Sequence, residues 1–71
     1  MKTSELFGKE VLDANAYRIG KVSDIDFDPL SGVVNHLIVK AGFTKKYVVT
    51  LANIDKIGDR VILRIKAEDL K

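Results

Sequence analysis

Three carboxylates recur two residues apart at Asp24, Asp26 and Asp28, and oxygen donors at that spacing are how a calcium-binding loop begins. Such a loop needs a glycine where Pro29 stands and a bidentate glutamate late in the segment, and this stretch has neither. Alternation along a strand instead sets the three carboxylates on one face, where mutual repulsion favours water. His36 is the single histidine. It has no cysteine or second histidine with which to share a metal and no serine or cysteine at a motif spacing, so a surface or strand-pairing role is expected. The five glycines, Gly8, Gly20, Gly32, Gly42 and Gly58, are scattered one per turn, which makes them backbone punctuation and not a phosphate cradle. Without a paired-carboxylate signature, a nucleophile motif or a ligand cluster, the chain reads as a non-enzyme with no cofactor and no metal. The chemistry that remains is charge. Lys45-Lys46-Tyr47, joined by Arg60 and Arg64, is the one candidate basic patch for RNA.

Charge as a whole argues against nucleic acid as the main partner. Twelve Lys and Arg stand against ten Asp and Glu, a net charge of +2, and the two signs are interspersed along the chain. No uninterrupted run of aliphatic side chains is longer than three residues, the length of Leu37-Ile38-Val39, which is far too short to span a membrane, and the N-terminus lacks a secretory apolar segment. No cysteine is present, so a disulfide framework and a thiolate metal site are excluded, and a reducing cytoplasm fits. Seventy-one residues read as one domain, 1–71, at a size where one core supplies only about 3–5 kcal/mol and extra support is commonly needed. Oligomerisation is the support left open to such a chain.

The elements that must position these residues are short strands. Two apolar runs, Ile19–Phe27 and Val33–Lys40, flank a loop in which Asp28 accepts turn N–H bonds, Pro29 pre-sets φ and Gly32 supplies a left-handed residue. This is a β-hairpin. Its apolar positions slip phase, from Tyr17 and Ile19 to Val22 and then to Ile25 and Phe27. Slips of that kind predict bulges near Gly20 and Ser23-Asp24, with a matching bend near Asn35-His36. More than one register of the hairpin is compatible with the pattern. Before it, Ser4–Gly8 suits a single helical turn, Lys9–Asp13 a first strand, and Ala14-Asn15-Ala16 a tight turn with Asn15 as the left-handed residue. After it, Tyr47–Leu51 reads as a strand with Tyr47, Val49 and Leu51 on one face. Ile54 and Ile57, three apart, suit one turn of 3₁₀ or α-helix. Arg60–Lys66 is a last strand with Val61, Leu63 and Ile65 alternating, and the tail from Ala67 is expected to fray. Five or six short strands with no long helical period mean an all-β domain, a small barrel or a sandwich.

If Leu37 and Val39 fill the core, Ile38 faces the other way, and Val48 and Ile62 likewise oppose the faces of Val49 and Leu63. Ile38, Val48 and Ile62 are therefore the candidate face for a dimer or a protein partner. Each aliphatic side chain fully buried there is worth about 1.5–3 kcal/mol.

The sequence resembles the PRC-barrel family, named for the cytoplasmic part of the photosynthetic reaction-centre H subunit and shared with the C-terminal domain of the ribosome maturation factor. Gly8-Lys9-Glu10-Val11-Leu12-Asp13 is similar to the family's opening GK-x-V-x-D, and Ile19–Ile25 with Phe27-Asp28 is similar to its second strand. Gly32 opens the returning strand, and Ile54–Gly58 resembles the segment before the last one. The sequence departs at Asn15-Ala16, where members often carry glycine. The resemblance implies a small β-barrel of mainly antiparallel strands with one short helical turn, acting as a docking module without catalytic residues. Stand-alone versions of this length, common in archaea, resemble homodimers or adaptors, some associated with cell-division assemblies. Ribosome-linked members keep an RNA-processing alternative in view.

Overall fold

The β-branched and alternating segments form six strands, and the computed structural model describes residues 1–70. They are β1 (Glu10–Leu12), β2 (Arg18–Phe27), β3 (Val34–Ala41), β4 (Lys45–Thr50), β5 (Ile54–Ile57) and β6 (Val61–Leu63), preceded by one helical turn, α1 (Thr3–Leu6). All six make one mixed sheet in the order β4-β3-β2-β1-β6-β5, curled into a half-barrel that stays open between β4 and β5. Neighbours are antiparallel except β1 and β6, which run parallel. The concave side holds Val11, Val22, Leu37, Val39, Val49, Val61 and Leu63, all nearly inaccessible, and α1 drops Leu6 onto the same cluster.

Curling needs irregular pairing, and β2 supplies it. Val11 pairs with Gly20 and Leu12 with Arg18, so Ile19 is the extra residue of one bulge. Val22 pairs with Val39 and Asp24 with Ile38, which makes Ser23 the extra residue of a second. On the returning strand Asp26 pairs with His36 and Phe27 with Val34, leaving Asn35 unmatched. The phase slips therefore fall where the alternation breaks, and each rotates the following residues to the other face.

The β2–β3 turn is built as its residues dictate. Asp28 Oδ1 accepts the Leu30 N–H at 2.9 Å, the Asp28 carbonyl accepts the Gly32 N–H at 2.7 Å, and Gly32 has φ +76°. Asp28 lies beyond the end of β2, so Asp24 and Asp26 share a strand face without it.

Four expectations are corrected. The left-handed residue of the first turn is Ala16, φ +66°, and not Asn15, because Asn15 instead donates its N–H to Asp13 Oδ1 at 2.9 Å. Ile54–Ile57 is strand β5, paired with β6; the 3₁₀ turn lies just before it, at Leu51–Asn53, and takes Leu51 out of strand β4. Gly20, counted with the turn glycines, is not in a turn but is the third residue of β2, within the Ile19–Phe27 run. The tail is not frayed at Ala67, whose N–H donates to Asp13 Oδ2 at 2.7 Å as Ala67–Asp69 makes a 3₁₀ turn. Strain at Ala16 gives a simple test. Left-handed backbone costs an L-residue about 1–2 kcal/mol, partly offset by the greater freedom glycine adds to the unfolded chain. Ala16→Gly should accordingly raise the melting temperature by a few degrees; a lower value would show that Ala16 is not strained.

Candidate functional site

Asp13 is the buried charged residue, 1 % exposed, and it ties the two ends of the chain together. Its Oδ1 accepts the N–H groups of Asn15 at 2.9 Å and Tyr17 at 2.8 Å, while Oδ2 holds Ala67. Burial pushes this carboxyl up, but the N–H groups of Ala67, Tyr17 and Asn15, with the Lys66 charge, outweigh it and hold Asp13 below the usual carboxylate range. Both carboxylate oxygens are thus taken up by backbone N–H groups of two separate segments, which makes Asp13 a structural clamp. Since the folded value is lowered, the stability Asp13 supplies is complete above the unfolded pKa of about 3.9 and is lost as pH falls through the folded one. Asp13→Asn should therefore melt lower than the parent at neutral pH, with the gap closing below about pH 4. Parallel melting curves through that window would remove the carboxylate's role.

The outer face of β2, β3 and β4 is more informative. Directly opposed residues share a face, so the pairing defines three rows across the strands. One row is Lys21–Lys40–Lys46, the next Asp24–Ile38–Val48, and the third Asp26–His36–Thr50. Ile38 and Val48 are thus a cross-strand pair on the side away from the core. Val48 is 51 % exposed and Ile38 is half-buried. His36 Nε2 lies 3.4 Å from Asp26 Oδ2, the strand-pairing place expected of it. Ile62 is not beside them. It sits on β6 next to Leu12 of β1, with β2 and β1 between it and β3.

The basic set is dispersed as well. Lys45 and Lys46 begin edge strand β4, whereas Arg60 and Arg64 flank β6, across β3, β2 and β1. Arg60 and Arg18 both bind Glu10, at 3.0 and 3.1 Å, and Arg64 Nε donates to the Ile54 carbonyl at 3.1 Å. Two of the four cations are thereby engaged within the fold. Among the described residues no group of three or more His, Cys, Asp or Glu is placed to hold a metal ion, and no helix is long and apolar enough to cross a membrane. A groove over Gly20, between Gly8 and Gly42, is edged by Arg18, Lys21 and Lys40 and carries no acid–base pair among its lining residues.

A family model, that of the PRC-barrel domain, matches residues 1–70. The chain belongs to the PRC-barrel family. PRC-barrel domains are small protein-interaction modules and are generally non-catalytic. A search of curated proteins found no match. For such a module the relevant surface is apolar and accessible, and this PRC-barrel domain has more of it than alternation alone revealed. Leu30 and Phe43 are each 97 % exposed, at turns on opposite ends of β3, with Phe27 and Val33 exposed beside Leu30. Reading strands by period passes over them. Their signal is their position, since an apolar side chain inside a turn, between Pro29 and Ser31 or between Gly42 and Thr44, has no core to enter.

Proposed function

We propose that this PRC-barrel domain is a non-catalytic adaptor that works as a homodimer in the cytoplasm, joining a partner protein to a larger assembly such as a cell-division complex. The observation that carries the reading is the Ile38–Val48 pair on the solvent side of the sheet, because a small domain with a thin core has reason to cover such a pair. Leu30 and Phe43, at the ends of β3, are free in this reading to hold the partner. Ile62, beside Leu12, is a second apolar position outside the dimer centre.

Sedimentation velocity over a dilution series tests the reading. A dimer boundary at high micromolar concentration that gives way to monomer on dilution is expected. A monomer throughout overturns the homodimer. Steeply salt-dependent, submicromolar binding to a defined RNA would move the function to a ribosome- or RNA-associated one, since released counterions make phosphate binding fall with salt.

A further inference from the structure

The outer face of β2–β4 carries an arrangement that a single copy does not explain. Lys21 and Lys40 are directly opposed, and so are Lys40 and Lys46, which lines three like charges across adjacent strands at a spacing of about 4.8 Å. All three are exposed, and none has an acidic side chain within ion-pair distance among the described residues. Like charges directly opposed in a sheet are destabilising. Four residues further along the same face, about two pleats or 13 Å away, the sign reverses: Asp26 is 53 % exposed and Asp24 lies one row nearer. Between the cationic and the acidic rows stand Ile38 and Val48.

The bulge at Ser23 makes this pattern possible. Lys21 is odd-numbered and the two aspartates even-numbered, so regular pairing would place them on opposite faces. The extra residue returns Asp24 and Asp26 to the side of Lys21 while Val22 and Ile25 still point to the core.

A face that is cationic at one end, apolar at β3 and β4 in the middle and acidic along β2 towards the other end is largely complementary to itself. Rotation by 180° about an axis lying in the interface and parallel to the rows reverses strand direction but preserves strand position. It sets Lys21 of one copy over Asp26 of the other, twice by symmetry, and Ile38 over Ile38 and Val48 over Val48, at the cost of one like-charge contact, Asp24 over Asp24, at the β2 end of the middle row. The alternative two-fold axis, parallel to the strands, stacks lysine on lysine.

We infer that the outer face of β2–β4 binds a second copy of this chain with strands antiparallel across the interface, Lys21 against Asp26 of the other copy and the Ile38–Val48 pair at the centre. The inference rests on the homodimer reading and adds its surface and its register.

Charge exchange tests it. Lys21→Glu sets a carboxylate over Asp26 of the other copy and Asp26→Lys sets an ammonium over its Lys21, so each variant alone should dimerise at least about tenfold more weakly than wild type. Mixed in equal amounts, the two should form a heterodimer near wild-type affinity, read by sedimentation with one partner fluorescently labelled. Both positions are on the exposed face, and melting curves verify that each variant is folded. As a check without variants, wild-type affinity should fall as salt rises, because these rim pairs are screened. A wild type that never dimerises overturns the homodimer itself. A wild-type dimer matched by both variants leaves the homodimer standing and overturns this surface, and two weakened variants that fail to rescue each other overturn the register.

Discussion

Gly20→Val is expected to be the most destabilising of the glycine substitutions and to melt well below wild type. Propensity argues the other way. Position 20 lies inside a strand, where valine is favoured over glycine by up to about 1 kcal/mol, and Gly20 does not occupy left-handed backbone. The obstacle is space. A Cβ on Gly20 would overlap the Lys40 carbonyl oxygen, with the Lys40 carbonyl carbon at 2.9 Å and the Ala41 Cα at 3.2 Å. These are backbone atoms of β3, so no rotamer change relieves the contact. The backbones of β2 and β3 must separate there. Overpacking typically costs about 1–3 kcal/mol, more when backbone must move, against a net stability that a core of this size sets at about 3–5 kcal/mol.

The other glycines provide the scale. Gly8, Gly32 and Gly42 have positive φ with open space around them, and Gly58 has neither constraint. Alanine at the first three should cost about 1–2 kcal/mol each, and Gly32→Val, with its branched Cβ, about 1–3 kcal/mol. Gly58→Ala should be close to neutral. Thermal melts followed by circular dichroism give the order directly. If Gly20→Val melts beside wild type, the close approach of β2 and β3 is not real.

Why Gly20 was misread from sequence, and Gly32 was not, shows what a single chain makes legible. Gly32 follows Asp28-Pro29 at a fixed distance, and its reason is local: the turn needs a left-handed residue. Gly20 matters because of a strand twenty residues away, and no local pattern carries that. The same division holds elsewhere. The bulge at Ser23 was visible because it breaks the alternation of apolar side chains, while the parallel pairing of β1 with β6, fifty residues apart, left no trace in either segment. Asp13 looked like the end of a strand; its ligands Asn15 and Tyr17 are near in sequence, but Ala67, which closes the clamp, is not. For the surface, alternation correctly put Ile38 and Val48 opposite Leu37 and Val49, but it added Ile62 by the same rule without a strand order to show that β6 lies three strands from β3.

Leu37→Asp and Ile38→Asp, adjacent substitutions with the same new side chain, should have opposite consequences. Leu37 is wholly inaccessible at the middle of β3, between Ile25 of β2 and Val49 of β4. Among the described residues no Lys, Arg or His is buried with that core, so a carboxylate there is buried without a partner or must take up a proton. Either way the loss of apolar burial and the desolvation together come to several kcal/mol. That exceeds what the domain holds in reserve, and Leu37→Asp should be unfolded by circular dichroism. Ile38 is half-buried on the outer face, opposite Asp24 and Val48. Aspartate there keeps its water and adds one like-charge neighbour, a cost of about 1 kcal/mol or less. The variant should stay folded, and under the homodimer proposal it should sediment as a monomer, because two further carboxylates would join the Asp24 pair and replace the apolar contact at the centre of the interface. A folded Ile38→Asp that remains a dimer would move the interface away from β3, leaving Leu12 and Ile62 as the next apolar positions to test. A folded Leu37→Asp with an unfolded Ile38→Asp would mean that the β2–β3 register is displaced by one residue and that the two faces of the sheet are exchanged.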